Sequence, residues 1–199
     1  MLASARVLSR GFYQRPTAKV ARDLLGKILV HNTAQGVVAV RLDEVEAYLG
    51  MDDPACHTSG GRRTTRTETM WGEAGHAYVY LIYGLHNCLN VVTVGEGVPE
   101  AVLIRGGIPI TGCEQIRERR GARVATQNLT DGPGKLCEAL AVSREENGLD
   151  LSIPASGLTI RSDGLYIPEH QVVRLPRVGV DYAGEAAAWP LRMKTVEEG

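Results

Sequence analysis

The stretch VVAVRLDEVEAY, residues 37–48, decides the fold of this chain. It is rich in valine and alternates apolar with polar side chains, as a β-strand does when one of its faces lies on a core. With a period of two, Glu44, Glu46 and Tyr48 fall on the same face as Val38 and the apolar residues that follow it at two-residue steps. Glu46 is thus predicted to continue an apolar stripe. Because burying a carboxylate there is costly, its presence indicates a function.

The segments around this strand predict further strands and a few helices. Turn residues at Gln35 and Gly36 pair it with the preceding run KILVHNT, and a second hairpin, AYVYLIYGLHNCLNVVTVGEG, turns near Gly84. Further strands are predicted at residues 100–105, in LTIRS and in VVRLPRVGV; helices are predicted from Pro16 to Gly26, over 108–121 and from Pro133 onward. Strand runs interrupted by helices, without a βαβ rhythm, indicate an α+β domain.

Length and composition fit a single domain over residues 1–199. Hydrophobic residues make up 44% of the chain and charged residues 23%, which are ordinary values for a globular protein. No apolar run reaches the length of a membrane span. The net charge of −1 does not by itself indicate a nucleic-acid partner, so any basic surface has to be local.

The cysteines and the N-terminus bear on the cellular location. The four cysteines lie far apart with no C-x-x-C pair, which favours a reduced, cytoplasmic setting. The first 22 residues hold several arginines and no acid, as an organelle transit peptide would. The helix signals between Pro16 and Gly26 favour an ordinary N-terminal helix instead.

Several catalytic motifs are absent from the sequence. GPGKL, residues 132–136, places glycines and a lysine at a helix start but lacks the earlier glycine and the Ser/Thr of a phosphate-binding loop. The five histidines show no H-x-x-x-H or H-x-E spacing, and no P-C-x-x-C follows, so no metal site is predicted. The G-x-S-x-G turn of serine hydrolases is also missing.

Tyrosines are the unusual feature of a chain that is poor in aromatics. Tyr48, Tyr78, Tyr80 and Tyr83 all lie within 36 residues. Any one of them alone is equally well explained as filling a sheet interface, but packing does not explain an aromatic at the tip of the predicted hairpin, where Tyr83 lies. A wedge at a hairpin tip, beside an aromatic pocket with one partly desolvated carboxylate, is expected of a protein that takes a base out of a duplex. Stacking supplies about 1–3 kcal/mol per base, enough to offset that extrusion.

One of two arginine-rich runs is GCEQIRERRGAR, residues 112–123, and the other lies in a long irregular segment, residues 51–76. A loop of this length is usually functional or disordered. Within it, GGRRTTRTE, residues 60–68, contains three arginines. Taken alone, such a run is better explained as a solvated surface.

Together these segments resemble the alkyladenine (3-methyladenine) DNA glycosylase family of base-excision repair. The resemblance rests on EVEAYLG with His57, the RRTTR loop, AYVYLIYG, Asn90, the strand end LIR and RVGV, and runs in order from FYQRP near residue 12 to PLRMK near residue 194. It implies a mostly antiparallel, curved β-sheet with surrounding helices and a protruding β-hairpin that inserts into DNA. It also implies a monofunctional enzyme that flips out alkylated or deaminated purines (the 3-methyladenine, hypoxanthine and ethenoadenine class) and hydrolyses the N-glycosidic bond.

The resemblance also implies roles for particular residues. Glu46 would be the general base that activates water for attack at C1′, and Arg105 with the main-chain carbonyl of Val178 would help to hold that water. The residues that would bind the damaged base are Tyr48, His57, Tyr80 and Asn90, of which Asn90 would exclude guanine. The residues that would contact DNA are Tyr83 as the intercalating side chain, Leu85, Arg62, Thr64 and Arg66. The implied partner is double-stranded DNA with damaged purines, bound by a monomer at the nucleoid without a metal or other cofactor.

The chemistry of these residue types agrees with the implied reaction. A carboxylate near C1′ stabilises an oxocarbenium-like transition state and accepts a proton. No lysine belongs to the constellation, so no Schiff base is predicted. Glu44 is not assigned to catalysis, since it could equally cap a helix or lie at the pocket rim, and Asp43 is predicted to be a solvated surface residue.

Two other functions are compatible with the residues. A non-catalytic damage-sensing module would detect distorted duplex through Tyr83, but it would gain nothing from a carboxylate near phosphates. A small-molecule nucleoside hydrolase would explain the pocket and leave the exposed hairpin tyrosine unexplained.

Overall fold

One antiparallel sheet organises the protein. In the computed structural model, which describes residues 2–196, the strands of this sheet are β1 (Arg6–Val7), β2 (Ile28–Thr33), β3 (Gly36–Tyr48), β4 (Ala77–Ile82), β5 (His86–Gly95), β6 (Val98–Thr111), β7 (Leu158–Ser162), β8 (Val172–Leu175) and β9 (Arg192–Thr195). The order along the sheet is β1-β7-β2-β3-β6-β5-β4, and β9 connects β8 to β3. The α-helices are α1 (Arg10–Tyr13), α2 (Thr17–Leu24), α3 (Cys113–Arg120) and α4 (Pro133–Leu140). The predicted α+β class with a mostly antiparallel, curved sheet is confirmed.

Most predicted elements are present, with some ends displaced. The structure confirms the helix predicted from Pro16 to Gly26, which is α2, and the helix from Pro133, which is α4. It also confirms the turn at Gly84 and the strand LTIRS. The segment IPIT, predicted as the start of a helix, instead extends β6, because it pairs with β3 around Pro109. The helix then begins only after Gly112, whose φ of +71° ends the strand. In VVRLPRVGV the strand stops at Leu175, before a proline that lacks a backbone donor.

The two faces of the sheet are covered differently. On one face, α2 and α4 close the main core, to which Val20, Leu136 and Val40 of β3 all belong. Each such side chain contributes about 1.5–3 kcal/mol when fully buried. On the other face, the irregular segment 51–76 packs Cys56 and Met70 into a smaller cluster with the tyrosines of β4. This second face carries the candidate site.

Two opposed β-bulges re-aim the side chains in the middle of β3. In this part of the pairing, Asp43 of β3 and Arg105 of β6 have no partner, and a separate shift farther along β6 leaves Ile110 unpaired. Because side chains alternate along a strand, an extra residue exchanges the two faces. Val45 and Ala47 therefore belong to the main core, and Glu46 points to the second face.

The prediction that Glu46 lies on the same face of β3 as Val38 is therefore wrong. Val38 and Val45 lie in the same core cluster, although they are seven positions apart and an odd difference would place them on opposite faces of a regular strand. A period of two cannot detect a bulge, because the extra residue has no distinguishing composition. Asp43, which was predicted to be solvated, is partly buried, and burial raises its pKa to about 6.

One row of paired residues crosses four strands on the second face. Glu46 on β3 pairs with Leu103 on β6, Leu103 pairs with Asn90 on β5, and Asn90 pairs with Tyr78 on β4. Directly paired residues in antiparallel strands have Cβ atoms about 4.5–5.5 Å apart and point to the same side. The register thus places the carboxylate of Glu46 and the ring of Tyr78 three strands apart on the same side, and Glu46 also pairs with Arg192 of β9.

Candidate active site

Glu46 is a fully buried carboxylate with three partners. Its exposed fraction is 0%. The Tyr48 hydroxyl donates to Oε2 at 2.9 Å, and the main-chain N–H of Val178 donates to Oε1 at 2.8 Å. The guanidinium of Arg105 lies 3.4 Å from Oε1. Burial raises the pKa of Glu46 above its ordinary value, although Arg105 and the two hydrogen bonds act in the opposite direction. A carboxyl with a raised pKa is a better proton acceptor once it is ionised.

Glu44 holds the arginine that faces Glu46. Nε of Arg105 donates to Oε1 of Glu44 at 2.9 Å, and Arg192 donates to the same oxygen at 3.2 Å. Lys194 lies 3.2 Å from Oε2. Burial raises the pKa of Glu44, but these cations outweigh it and hold the pKa below its ordinary value. Glu44 therefore stays ionised and directs one edge of the Arg105 guanidinium toward Glu46.

An aromatic cavity of about 220 Å³ is lined by the three partners of Glu46, which are Tyr48, Arg105 and Val178. Its lining includes all four predicted base-binding residues, which are Tyr48, His57, Tyr80 and Asn90. The rings of His57 and Tyr80 meet edge to face, with centroids 4.6 Å apart, and Tyr78 lies 5.3 Å from Tyr80. An apolar cavity of about 150 Å³ accepts benzene. The present cavity is therefore large enough for a bigger aromatic ring system.

His57 is a neutral member of this wall. Its Nδ1 lies 3.0 Å from the Tyr78 hydroxyl. Burial, followed by the nearby guanidinium groups of Arg66 and Arg62, lowers the pKa of His57 to about 4. At pH 7 the imidazole is uncharged, so it supplies a flat polar surface rather than a general acid.

Asn90 is fixed inside the cavity by the neighbouring strand. Its exposed fraction is only 4%, and its Nδ2 donates to the main-chain oxygen of Tyr78 at 3.1 Å. The amide is therefore held at one position of the wall, as a group that discriminates between ligands by shape requires.

The tip of the β4–β5 hairpin is exposed and strained. Tyr83 and Leu85 are 86% and 78% exposed. The Leu85 N–H donates to the Ile82 oxygen at 3.1 Å, and both residues between them have positive φ, 53° at Tyr83 and 70° at Gly84. This is a type I′ turn, which favours Asn and Gly at its centre. A tyrosine held there at an energetic cost is typical of a functional position.

The arginines of the loop formed by residues 60–68 differ in whether a carboxylate pairs with them. Arg63 is paired with Glu68 at 3.0 Å and lies over the ring of Trp71. Among residues 2–196, no carboxylate lies within 4.0 Å of Arg62 or Arg66. The two predicted DNA-contacting arginines are thus the two without a carboxylate partner, although Arg66 also donates to the main-chain oxygen of Leu81 at 3.5 Å and lies over the ring of Tyr80.

Thr64, the third predicted residue of this loop, has a structural contact. Its main-chain N–H donates to Oγ1 of Thr67 at 2.9 Å, and Thr67 is buried. This bond orders the turn that presents the neighbouring arginines, although the side chain of Thr64 itself remains on the surface.

A buried ion pair beneath the cavity escaped the sequence analysis. Arg177 makes two hydrogen bonds to Asp53, one of them 2.8 Å long, and its guanidinium carbon lies 4.8 Å from the centroid of the Tyr48 ring. The RVGV segment contains Arg177, but no local pattern indicates its partner. The same segment supplies the Val178 contact to Glu46 through the main-chain N–H, whereas the resemblance implied a role for the carbonyl.

Neither a metal site nor a membrane-spanning helix is found in the part of the chain that the structure describes. Over residues 2–196, no group of three or more His, Cys, Asp and Glu side chains is arranged to hold a metal ion. Within the same range, no helix has both the length and the hydropathy of a membrane span.

The chain is similar over nearly its whole length to one family of proteins. Residues 11–198 match the family model described as Methylpurine-DNA glycosylase (MPG). A relative from Methanocella arvoryzae is 51% identical over 186 residues, covering 94% of this chain and 90% of the relative. Relatives from Bdellovibrio bacteriovorus and Clostridium acetobutylicum are 45% and 47% identical, covering 94% and 90% of this chain and 93% and 89% of their own lengths. All three are named "Putative 3-methyladenine DNA glycosylase".

Proposed function

Because the chain belongs to the methylpurine-DNA glycosylase family and is a DNA glycosylase of DNA repair, we propose that it excises alkylated or deaminated purines of the 3-methyladenine, hypoxanthine and ethenoadenine class. The damaged nucleotide rotates out of the duplex, its base enters the aromatic cavity, and the N-glycosidic bond is hydrolysed. The product is an abasic site, which initiates base excision repair. The protein acts as a monomer in the cytoplasm, associated with the nucleoid.

The observation that carries this proposal is the position of Glu46. The carboxylate has no exposed surface, and its three partners, Tyr48, Arg105 and Val178, all line the cavity. A carboxylate has about four acceptor sites. Tyr48 and Val178 occupy two of them and the guanidinium of Arg105 faces a third, which leaves acceptor capacity for a hydrogen bond from water. The carboxylate is therefore oriented before any substrate binds.

In the proposed reaction the C1′–N bond breaks, and its electron pair leaves with the purine. Water forms the new C1′–O bond and gives a proton to Glu46, whose negative charge also stabilises the oxocarbenium-like transition state. General base catalysis of this kind contributes about 10²–10⁴-fold. None of the described residues that line the cavity is a lysine, in keeping with hydrolysis in one step.

The cavity favours bases that leave without further protonation. 3-Methyladenine is cationic in DNA and is already an activated leaving group, whereas hypoxanthine is neutral. His57 is uncharged near pH 7, because its pKa is about 4, so it does not supply a proton. We therefore expect release of 3-methyladenine to be the faster of the two.

The hairpin tip would support the extruded state. Tyr83 would fill the gap in the base stack, and Leu85 would pack beside it. An inserted side chain of this kind offsets the unstacking of the neighbouring bases, which costs a few kcal/mol.

The test is single-turnover release of 3-methyladenine and hypoxanthine from duplex DNA, without added metal, by the wild type, Glu46→Gln and Glu96→Gln. Glu96 is an exposed carboxylate at the β5–β6 turn and serves as the matched control. We expect Glu46→Gln to lose at least about 10²-fold in rate, with DNA binding retained, and Glu96→Gln to match the wild type. A full rate with Glu46→Gln would refute the assignment of the base.

The same assay separates the enzyme from the non-catalytic sensor. Selective binding of damaged duplex by the wild type, with neither purine released, would favour the sensor. Membership of a glycosylase family favours the enzyme.

A further inference from the structure

Tyr182 is a second exposed aromatic at the mouth of the cavity. It is 72% exposed and lines the cavity together with Tyr83, which is 86% exposed. Tyr182 lies in the 3-10 helix Asp181–Ala188, directly after the segment that contacts Glu46. No sequence motif indicates a role for Tyr182.

Tyr182 is held in position although its ring is exposed. Its hydroxyl donates to the main-chain oxygen of Ala55 at 3.3 Å. The next residue, Ala183, is buried in a small cluster with Ala55, Val180 and Ala186. A ring that is already fixed loses little conformational freedom when a ligand binds against it.

Two adjoining cavities meet at Tyr182. The aromatic cavity of about 220 Å³ and a second cavity of about 290 Å³ share a wall made of Cys56, His57 and Tyr182. The lining of the second cavity includes Arg62 and Arg66. These are the two arginines of the loop that have no carboxylate within 4.0 Å among residues 2–196.

An aromatic cavity next to a cationic one matches the chemistry of a single nucleotide. The planar base stacks on rings, and the phosphate is bound by guanidinium groups. In the aromatic cavity His57 is neutral near pH 7, and the charge of Arg105 is paired with Glu44 and Glu46. The positive charge that has no carboxylate partner therefore lies in the second cavity. The sugar that joins base and phosphate would then lie at the shared wall, where Tyr182 presents its exposed ring.

We propose that Tyr182 contacts the deoxyribose and its phosphate in the extruded nucleotide, and thereby binds extruded nucleotides in preference to intact duplex. This inference rests on the proposed function, because it requires a nucleotide that has left the stack. It separates two aromatic roles at one mouth: Tyr83 occupies the gap in the duplex, and Tyr182 holds the sugar that has come out of it.

The experiment compares binding to two duplexes, one undamaged and one with a tetrahydrofuran abasic analogue. The analogue carries the sugar and phosphate without a base, so it reports on Tyr182 independently of the aromatic cavity. We expect Tyr182→Ser to weaken binding to the analogue duplex about tenfold, equivalent to about 1.4 kcal/mol. Binding to the undamaged duplex should stay within about twofold, since that complex lacks the contact.

Two further variants make the result specific. Tyr166→Ser removes a tyrosine that is 70% exposed but lines a different cavity, and should bind both duplexes as the wild type does. Tyr182→Phe keeps the ring and should retain most of the binding. The inference is overturned if Tyr182→Ser behaves like Tyr166→Ser, or if it weakens binding to both duplexes equally.

The readout also distinguishes this inference from the proposed function. Binding to the analogue requires no bond cleavage, whereas the proposed function is tested by release of a purine by the wild type. Wild-type purine release with unchanged analogue binding in Tyr182→Ser would overturn the inference alone.

Discussion

The buried carboxylate and the hairpin tip belong to one candidate site but are built in opposite ways. Glu46 has no exposed surface and is fixed by a hydroxyl, a main-chain N–H and a guanidinium. Tyr83 is 86% exposed and its backbone is left-handed, and among residues 2–196 its side chain has no hydrogen bond or ring contact. The group that would accept a proton is preorganised in the free protein, and the group that would enter DNA gains its contacts only on binding. Substitutions at the first region should therefore reduce stability and catalysis, and those at the second should weaken DNA binding without loss of stability.

The largest effect, on the free energy of unfolding, is expected at the buried ion pair between Arg177 and Asp53, which packs against Tyr48. Arg177→Met would leave Asp53 buried, with hydrogen bonds from two main-chain N–H groups but no cation. Removing one partner of a buried ion pair costs about 3–5 kcal/mol. Urea unfolding should show this as a much lower midpoint. Arg63→Met, which removes an exposed arginine, should leave the midpoint almost unchanged, and equal midpoints for the two variants would contradict the importance of the buried pair.

A smaller effect is expected from the arginine that faces the carboxylate. Arg105 lowers the pKa of Glu46, against burial, which raises it. In Arg105→Gln that pKa rises, so the ionised base is lost at a higher pH, and the acid limb of the pH–rate profile should move upward. The plateau rate should fall roughly 10²-fold, the effect of displacing a positioned group.

Single-turnover rates from pH 5 to 9 would test this prediction. Arg123→Gln, an exposed arginine outside the cavity, is the control and should retain the wild-type profile. An acid limb that stays in place, or moves downward, would show that Arg105 does not set the charge of Glu46.

The comparison also explains which parts of the site could be predicted. Tyr48, Tyr80 and Asn90 lie on strands that the sequence predicts, the family resemblance implied their roles, and the structure brings them into one cavity. Tyr83 could be predicted because Gly84 marks a turn and an aromatic at a turn has no packing role.

The supporting residues could not be predicted, because their contacts are remote in sequence. Arg177 and Asp53 are 124 positions apart, and no spacing rule connects them. The face of Glu46 was assigned wrongly because paired bulges at Asp43 and Arg105 arise from the meeting of two strands. Such features depend on the tertiary pairing of elements rather than on the composition of either one.

A gain in stability is expected at the exposed region. An L-residue in the left-handed conformation costs about 1–2 kcal/mol, and Asn before Gly is favoured in a type I′ turn. Tyr83→Asn should therefore raise the free energy of unfolding by about 1 kcal/mol and the melting temperature by about 2–4 °C, while binding to damaged duplex weakens.

Leu85→Asn is the control for this prediction. It removes the other exposed apolar side chain of the tip without relieving strain, because the φ of Leu85 is not positive. Its melting temperature should not change. A loss of stability in Tyr83→Asn would mean that the tyrosine supports the turn and is not held there for binding.

The smallest effect should come from the arginine-rich loop, where exposed cations differ in their partners. Arg66 has no ion pair within the described residues and lies 4.9 Å from the centroid of the Tyr80 ring, whereas Arg63 is paired with Glu68. Each phosphate contact adds about 0.9 to the slope of log K against log salt concentration. Arg66→Gln should reduce that slope by about this amount, and Arg63→Gln should leave it unchanged, because its charge is already neutralised. Equal reductions of the slope in the two variants would show that Arg63 and Arg66 contribute equally to DNA binding. The ion pair of Arg63 with Glu68 would then make no difference to how the loop binds DNA.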